Sequence, residues 1–134
     1  MTNENKRCAS FYNYTNGIIF EEKARKYLIG HGYKIIKTRY KDNYGEIDII
    51  AEESYLQENI LKNGFNIKSH KKCLVFIEVK SRQSDELIES ILRRGQIKRI
   101  KNSALYFLSK NDEYQNHDMR FDFILFTGLS LIHI

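Results

Sequence analysis

Two short apolar runs each carry an acid where a buried strand normally excludes one. Gly45-Glu46-Ile47-Asp48-Ile49-Ile50 is the first, and Leu74-Val75-Phe76-Ile77-Glu78-Val79-Lys80-Ser81-Arg82 is the second. Both are rich in Ile, Val and Phe and bounded by polar turn-formers, the pattern of β-strands. Side chains alternate between faces along a strand. That alternation places Glu46, Asp48 and Ile50 on one face of the first run, and Leu74, Phe76, Glu78 and Lys80 on one face of the second. If the two strands are neighbours, Asp48, Glu78 and Lys80 converge. A buried charge is costly unless it is paired or bound to a metal. Two carboxylates and an ammonium therefore fit either a buried ion pair or a site for a divalent cation and an activated water.

The remaining chain supplies a frame for such a pair. Residues 1–14 read as a flexible polar lead-in, and Thr15 or Asn16 as the cap of a helix running to about residue 29. Phe20, Ala24, Tyr27 and Leu28 form its buried stripe, and Gly30 and Gly32 its stop. Glu21 lies beside that stripe and, in a first turn, is favoured by the helix dipole. Tyr33–Tyr40 reads as a strand and 41–45 as a turn. Residues 53–72 read as a surface insertion with some helical pattern (Tyr55, Leu56, Ile60, Leu61), ending in the basic run Lys68–Lys72. Ser84 or Asp85 caps a second helical stretch to about Ser109, with Gly95 as a kink or break. Arg93, Arg94, Lys98, Arg99 and Lys101 decorate it, either as a solvated face or as phosphate contacts. Met119–Phe126 reads as a last strand with Arg120 and Asp122 on one face. The order α-β-β-β-α-β predicts a single α/β domain over 15–134, a mixed central sheet flanked by helices.

Composition narrows the function classes. The chain has 134 residues, 42% hydrophobic and 29% charged, enough for one domain with a real core. A net charge of +5 favours polyanionic partners without identifying one. Cys8 and Cys73 are too few for a structural zinc site and are expected to be reduced. Neither a secretory leader nor an apolar run of membrane-spanning length is visible, so a cytoplasmic protein with no membrane partner is expected.

The motifs Gly17-x-x-x-Glu21-x-x-Ala24, Gly45-Glu46-Ile47-Asp48, Val75-Phe76-Ile77-Glu78-Val79-Lys80-Ser81-Arg82 and Arg120-Phe121-Asp122 occur in one order from about residue 15 onward. In that order the chain resembles the YraN-like proteins, a family with a restriction-endonuclease-like core in the PD-(D/E)xK superfamily, which includes archaeal Holliday-junction resolvases. The resemblance implies a metal-dependent endonuclease using Mg²⁺ or Mn²⁺, with Asp48, Glu78 and the Val79 carbonyl as metal ligands. It implies Lys80 as catalytic lysine and Glu21 as a supporting carboxylate, with Gln96, Arg120 and Asp122 as further support. The implied partner is nucleic acid, DNA ahead of RNA and branched DNA included, with a homodimer allowed. A non-catalytic nucleic-acid-binding module and a structural or partner-binding protein are the alternatives. Three departures from the family pattern stand out: the long 53–72 insertion, Phe20 in place of a small residue, and a short tail ending Ile132-His133-Ile134.

Overall fold

The computed structural model describes residues 3–82, 94–128 and 130–134, with side chains from residue 16 and, in the second segment, from residue 95. The expected cap at Ser84 or Asp85, the stripe Leu87–Leu92, Arg93 and the Arg94 side chain lie outside the described residues.

Helix α1 spans Asn3–Gly30. It starts well before the expected cap at Thr15 or Asn16, so that helix start is corrected. The chain has no proline, and Asn or Thr inside a helix costs only a few tenths of a kcal/mol, roughly 0.5, too little to force a start there. The helix ends where expected. Gly32, at φ +86°, adopts the left-handed conformation that glycine tolerates. The Tyr33 N–H donates to the Leu28 carbonyl and the Gly32 N–H to the Ile29 carbonyl, the paired bonds of a Schellman stop.

Among the described residues, five strands form one sheet in the order β1-β2-β3-β4-β5. They are β1 Lys34–Lys41, β2 Glu46–Ile60, β3 Asn66–Arg82, β4 Asp118–Thr127 and β5 Ser130–His133. β3 and β4 pair in parallel and the other neighbours antiparallel. A parallel pair needs a crossover, and helix α2 (Arg94–Lys110) lies in that connection, followed by a 3-10 turn at Asp112–Tyr114. β5 has no counterpart in the sequence reading.

The 53–72 segment is not helical. β2 and β3 run through it as one long hairpin, paired from Ile49 with Ile77 out to Ile60 with Asn66 and closed by a turn at 61–65. The basic run 68–72 is therefore strand rather than loop, and His70 sits opposite Leu56. The Tyr55, Leu56, Ile60, Leu61 spacing yields to pairing because each strand gains a complete ladder, with Lys68 and Glu58 forming a cross-strand ion pair at 3.1 Å.

The sheet separates two cores. Ala24 and Leu28 of α1 meet Ile49, Ala51, Val75, Ile77, Ile124 and Phe126 on one side, and Phe20 packs its ring 5.1 Å from that of Phe126. On the other, Ile100, Ala104 and Phe107 of α2 cover Ile47, Ile50, Leu74 and Phe76.

β5 is tied to β4 through Asp122. Asp122, 4% exposed, accepts two bonds from Arg120 (2.7 and 3.0 Å) and one contact from His133 Nε2 at 2.7 Å. Arg120 reaches on to Glu53 at 2.7 Å and the Tyr33 hydroxyl at 3.0 Å. Asp122→Ala leaves the Arg120 guanidinium and the His133 ring without their buried acceptor, so a loss on the order of 3 kcal/mol in urea unfolding is expected.

Candidate active site at the β2–β3 fork

Alternation along β2 is interrupted at Asp48. Ile47 and Ile50 face α2 while Ile49 and Ala51 face α1, so the expectation that Asp48 and Ile50 share a face is corrected. The cause is visible on both flanks. The β2–β3 ladder stops at Ile49–Ile77, one residue short of Asp48 and Glu78. On the β1 side, Thr38 pairs with Ile49 and Tyr40 with Ile47, and Arg39 between them takes φ +53°, rare for a residue with a side chain.

Where the ladder ends, Asp48 substitutes for it. Its Oδ2 accepts the Val79 N–H at 2.8 Å. In an extended strand a residue's N–H and C=O leave by the same edge, so the Val79 carbonyl is turned toward the same fork. Glu78 accepts from Gln96 Nε2 at 3.1 Å and lies 3.4 Å from Lys80 Nζ through the same Oε1. Asp48 and Glu78 are close enough to share a proton. Both line one cavity of about 730 Å³, with Glu21, Lys80 and Phe20.

Electrostatics mark the pair as frustrated. Burial, then the Asp48 charge, push the Glu78 carboxyl up to about 7 against the pull of Lys80. Burial raises Asp48 as well, opposed by the Val79 N–H and Lys80. Glu21 is raised by burial and by Asp48.

Glu21 stands deep inside α1 rather than in a first turn, so the helix dipole does not account for it. Its Oε2 is 3.1 Å from Arg39 Nε. The left-handed turn at Arg39 thus aims a guanidinium at the rim of the cavity, a feature with no signal in the sequence beyond an arginine in a strand. A second unforeseen device is Asp42, whose Oδ1 accepts the N–H groups of Tyr44 and Gly45 (2.8 and 3.1 Å) and the Ser103 hydroxyl (2.9 Å). It ties the 41–45 turn to α2. Burial pushes the Asp42 carboxyl up, but the bonds from Tyr44, Ser103, Tyr40 and Gly45 hold it below the usual range.

The other expected residues divide. Gln96 is at the site. Arg99 borders a cavity of about 740 Å³ on the α2 side, which also reaches Glu78. Lys98 and Lys101 are exposed on α2 and line neither cavity. Arg120 and Asp122 belong to the β4–β5 tie and stand outside both. Among the described residues no three His, Cys, Asp or Glu side chains gather as in a closed metal cage, and no helix is long and apolar enough to cross a membrane.

A carboxyl whose pKa rises on folding stabilises the fold fully below its unfolded value and loses that contribution as pH climbs through the folded value. For Glu78 the window is 4.5 to about 7. Without divalent cations, Glu78→Gln is therefore expected to be more stable than wild type at pH 8, by on the order of 3 kcal/mol. The gap should close toward pH 4.5 in chemical unfolding measured across pH.

The chain is similar to other proteins over most of its length. A family model described as uncharacterised protein family UPF0102 matches residues 20–126, which include Glu21, Asp48, Glu78, Lys80 and Asp122. The chain is 36% identical to a UPF0102 protein of Sulfurihydrogenibium over 88% of this chain and 89% of that one. It is 34% identical to one from Nitrobacter winogradskyi over 89% and 84%, and 32% identical to one from Fusobacterium nucleatum over 81% and 78%. With its α/β sheet consistent with a restriction-endonuclease-like core, this chain belongs to the UPF0102 family.

Proposed function

We propose that the protein is a metal-dependent nuclease that hydrolyses phosphodiester bonds of nucleic acid at the β2–β3 fork. The observation that carries this reading is the pairing of Asp48 and Glu78, two buried carboxyls beside Lys80 at the wall of an open cavity. A structural ion network would balance its charges internally. Here burial drives both carboxyls toward protonation although Lys80 stands beside them.

The donor set suits Mg²⁺ or Mn²⁺. Two hard carboxylate oxygens and the Val79 carbonyl, with waters completing the shell, are what magnesium accepts. Asp48 is oriented for this by the Val79 N–H, and Glu78 by Gln96. The bound cation would supply Lewis acidity toward water and phosphate. The reaction forms a bond from the water oxygen to phosphorus and breaks one P–O ester bond, the departing oxygen taking up a proton. Lys80, held at 3.4 Å from Glu78, orients the nucleophile and counters charge growing on the phosphoryl oxygens. Glu21, kept near Asp48 by Arg39, is placed to hold a water on the α1 side. Arg99 supplies a cation for the neighbouring phosphate.

The test is cleavage with Mn²⁺ of branched, single-stranded and duplex DNA and of RNA. Wild type should cut at least one, and Lys80→Ala and Asp48→Ala should fall by 100-fold or more, roughly the loss of an electrostatic catalytic group. Mn²⁺ should also raise the melting temperature of wild type at pH 8 and not that of Glu78→Ala. Equal cleavage by wild type and Lys80→Ala, or no metal-dependent shift, overturns the reading.

A further inference from the structure

The cavity on the α2 side of Glu78 continues as a groove between the 41–45 turn and α2. Residues 41–43 line both that cavity and the next one along, which reaches Tyr106 and Lys110. Arg99, Ser103, Tyr106 and Lys110 lie on one side of α2, at the i, i+4, i+7, i+11 spacing of a helical stripe. The turn presses against that stripe closely enough that only glycine fits without adjustment at position 45. A Cβ there would lie 3.3 Å from the Arg99 Cβ.

Two aromatic rings stand at the rim. Tyr44 is 50% exposed and Tyr106 is 39% exposed, with centroids 5.8 Å apart. Neither serves a core cluster, unlike Tyr40, which packs on Phe107. Cations outnumber acids along the groove: Lys37, Lys41, Arg99 and Lys110 line it with Asp42, Glu46 and Glu78. Asp42 accepts three donors through Oδ1, and Glu46 pairs with Lys41 at 3.1 Å. Lys110 lies 5.6 Å over the Tyr106 ring.

Exposed aromatic faces bordered by cations suit unpaired bases on a phosphate backbone. A duplex keeps its base faces inside its own stack and has nothing to offer Tyr44. We propose, resting on the nucleic-acid reading above, that this groove is a track for a single-stranded segment, with Tyr44 and Tyr106 stacking bases and Arg99 and Lys41 on the phosphates. The track ends at Glu78, so the substrate class is a strand with an unpaired stretch next to the bond to be cut. The Asp42 carboxylate positions the platform by holding the Tyr44 backbone.

The experiment is binding of fluorescein-labelled oligothymidylate and of a blunt duplex, followed by anisotropy in EDTA, so that neither metal nor turnover enters. Wild type should bind the single strand more tightly than the duplex. Tyr44→Ala should weaken single-strand binding roughly tenfold, the effect of losing one stacked base, with duplex binding unmoved. Tyr44→Phe, which keeps the ring, should bind as wild type, and Tyr106→Leu should repeat the loss. Folding of each variant is read by its thermal melt. Wild-type binding by Tyr44→Ala, preference for duplex, or binding to neither overturns the track. If binding depends on Tyr44 but no metal supports cleavage, the track stands and the hydrolase reading falls.

Discussion

The 2.8 Å bond from the Val79 N–H to Asp48 organises this end of the molecule. A backbone donor at the end of a strand needs an acceptor, and the neighbouring strand would normally supply a carbonyl. Here β2 supplies a carboxylate instead. The substitution opens the sheet at its centre, where β2 and β3 otherwise pair without interruption to Ile60 and Asn66. It also fixes the Asp48 side chain without using both of its oxygens. The residue that closes the ladder is thereby the residue that lines the cavity.

An interior fork of this kind would collapse without support from both layers. On one side α1 brings Phe20 against Phe126 and leaves Glu21 at the opening, restrained by Arg39. Phe20, a departure from the usual small residue, thus has a packing role. On the other side α2 delivers Gln96 to Glu78, and the Asp42 turn bolts the start of β2 to Ser103. The two apolar cores set these helices rigidly across the sheet, so polar groups at their margins meet within hydrogen-bond distance rather than through long flexible loops.

How much of this is readable from residue order depends on the range of the interaction. The stripe Phe20, Ala24, Tyr27, Leu28 and the strand composition around Asp48 and Glu78 are local signals, and they place the site-bearing parts of α1, β2 and β3. The nearness of Asp48 to Glu78 followed from adjacency of the strands, although the face assignment did not, because strict alternation cannot foresee the irregularity opposite Arg39. The helical spacing within 53–72 yields to strand pairing for a related reason. The segment's apolar residues are few and exposed, so neither a helical nor a strand period is enforced by burial, and pairing across the turn decides. The early start of α1 and the whole of β5 had no strong local signal. β5 is held by His133 on Asp122, residues of no evident connection until the sheet is built.

Glu78 is shared by both cavities, and this follows from where the ladder ends. A side chain on a fully paired central strand belongs to one face of its sheet. With β2 drawn away toward β1 beyond Ile49, the Glu78 carboxyl meets Gln96 from α2 and the Asp48 carboxyl from the gap. The fork is therefore a passage between the two sides, with acids in the middle and cations on each approach: Lys80 on the α1 side, Arg99 on the α2 side. The long hairpin leaves this passage free, since at about 3.3 Å per residue its tip stands roughly 40 Å from Asp48 along β2. Cations and acids thus alternate through the passage, and the buried carboxyl pair stands where the two layers meet.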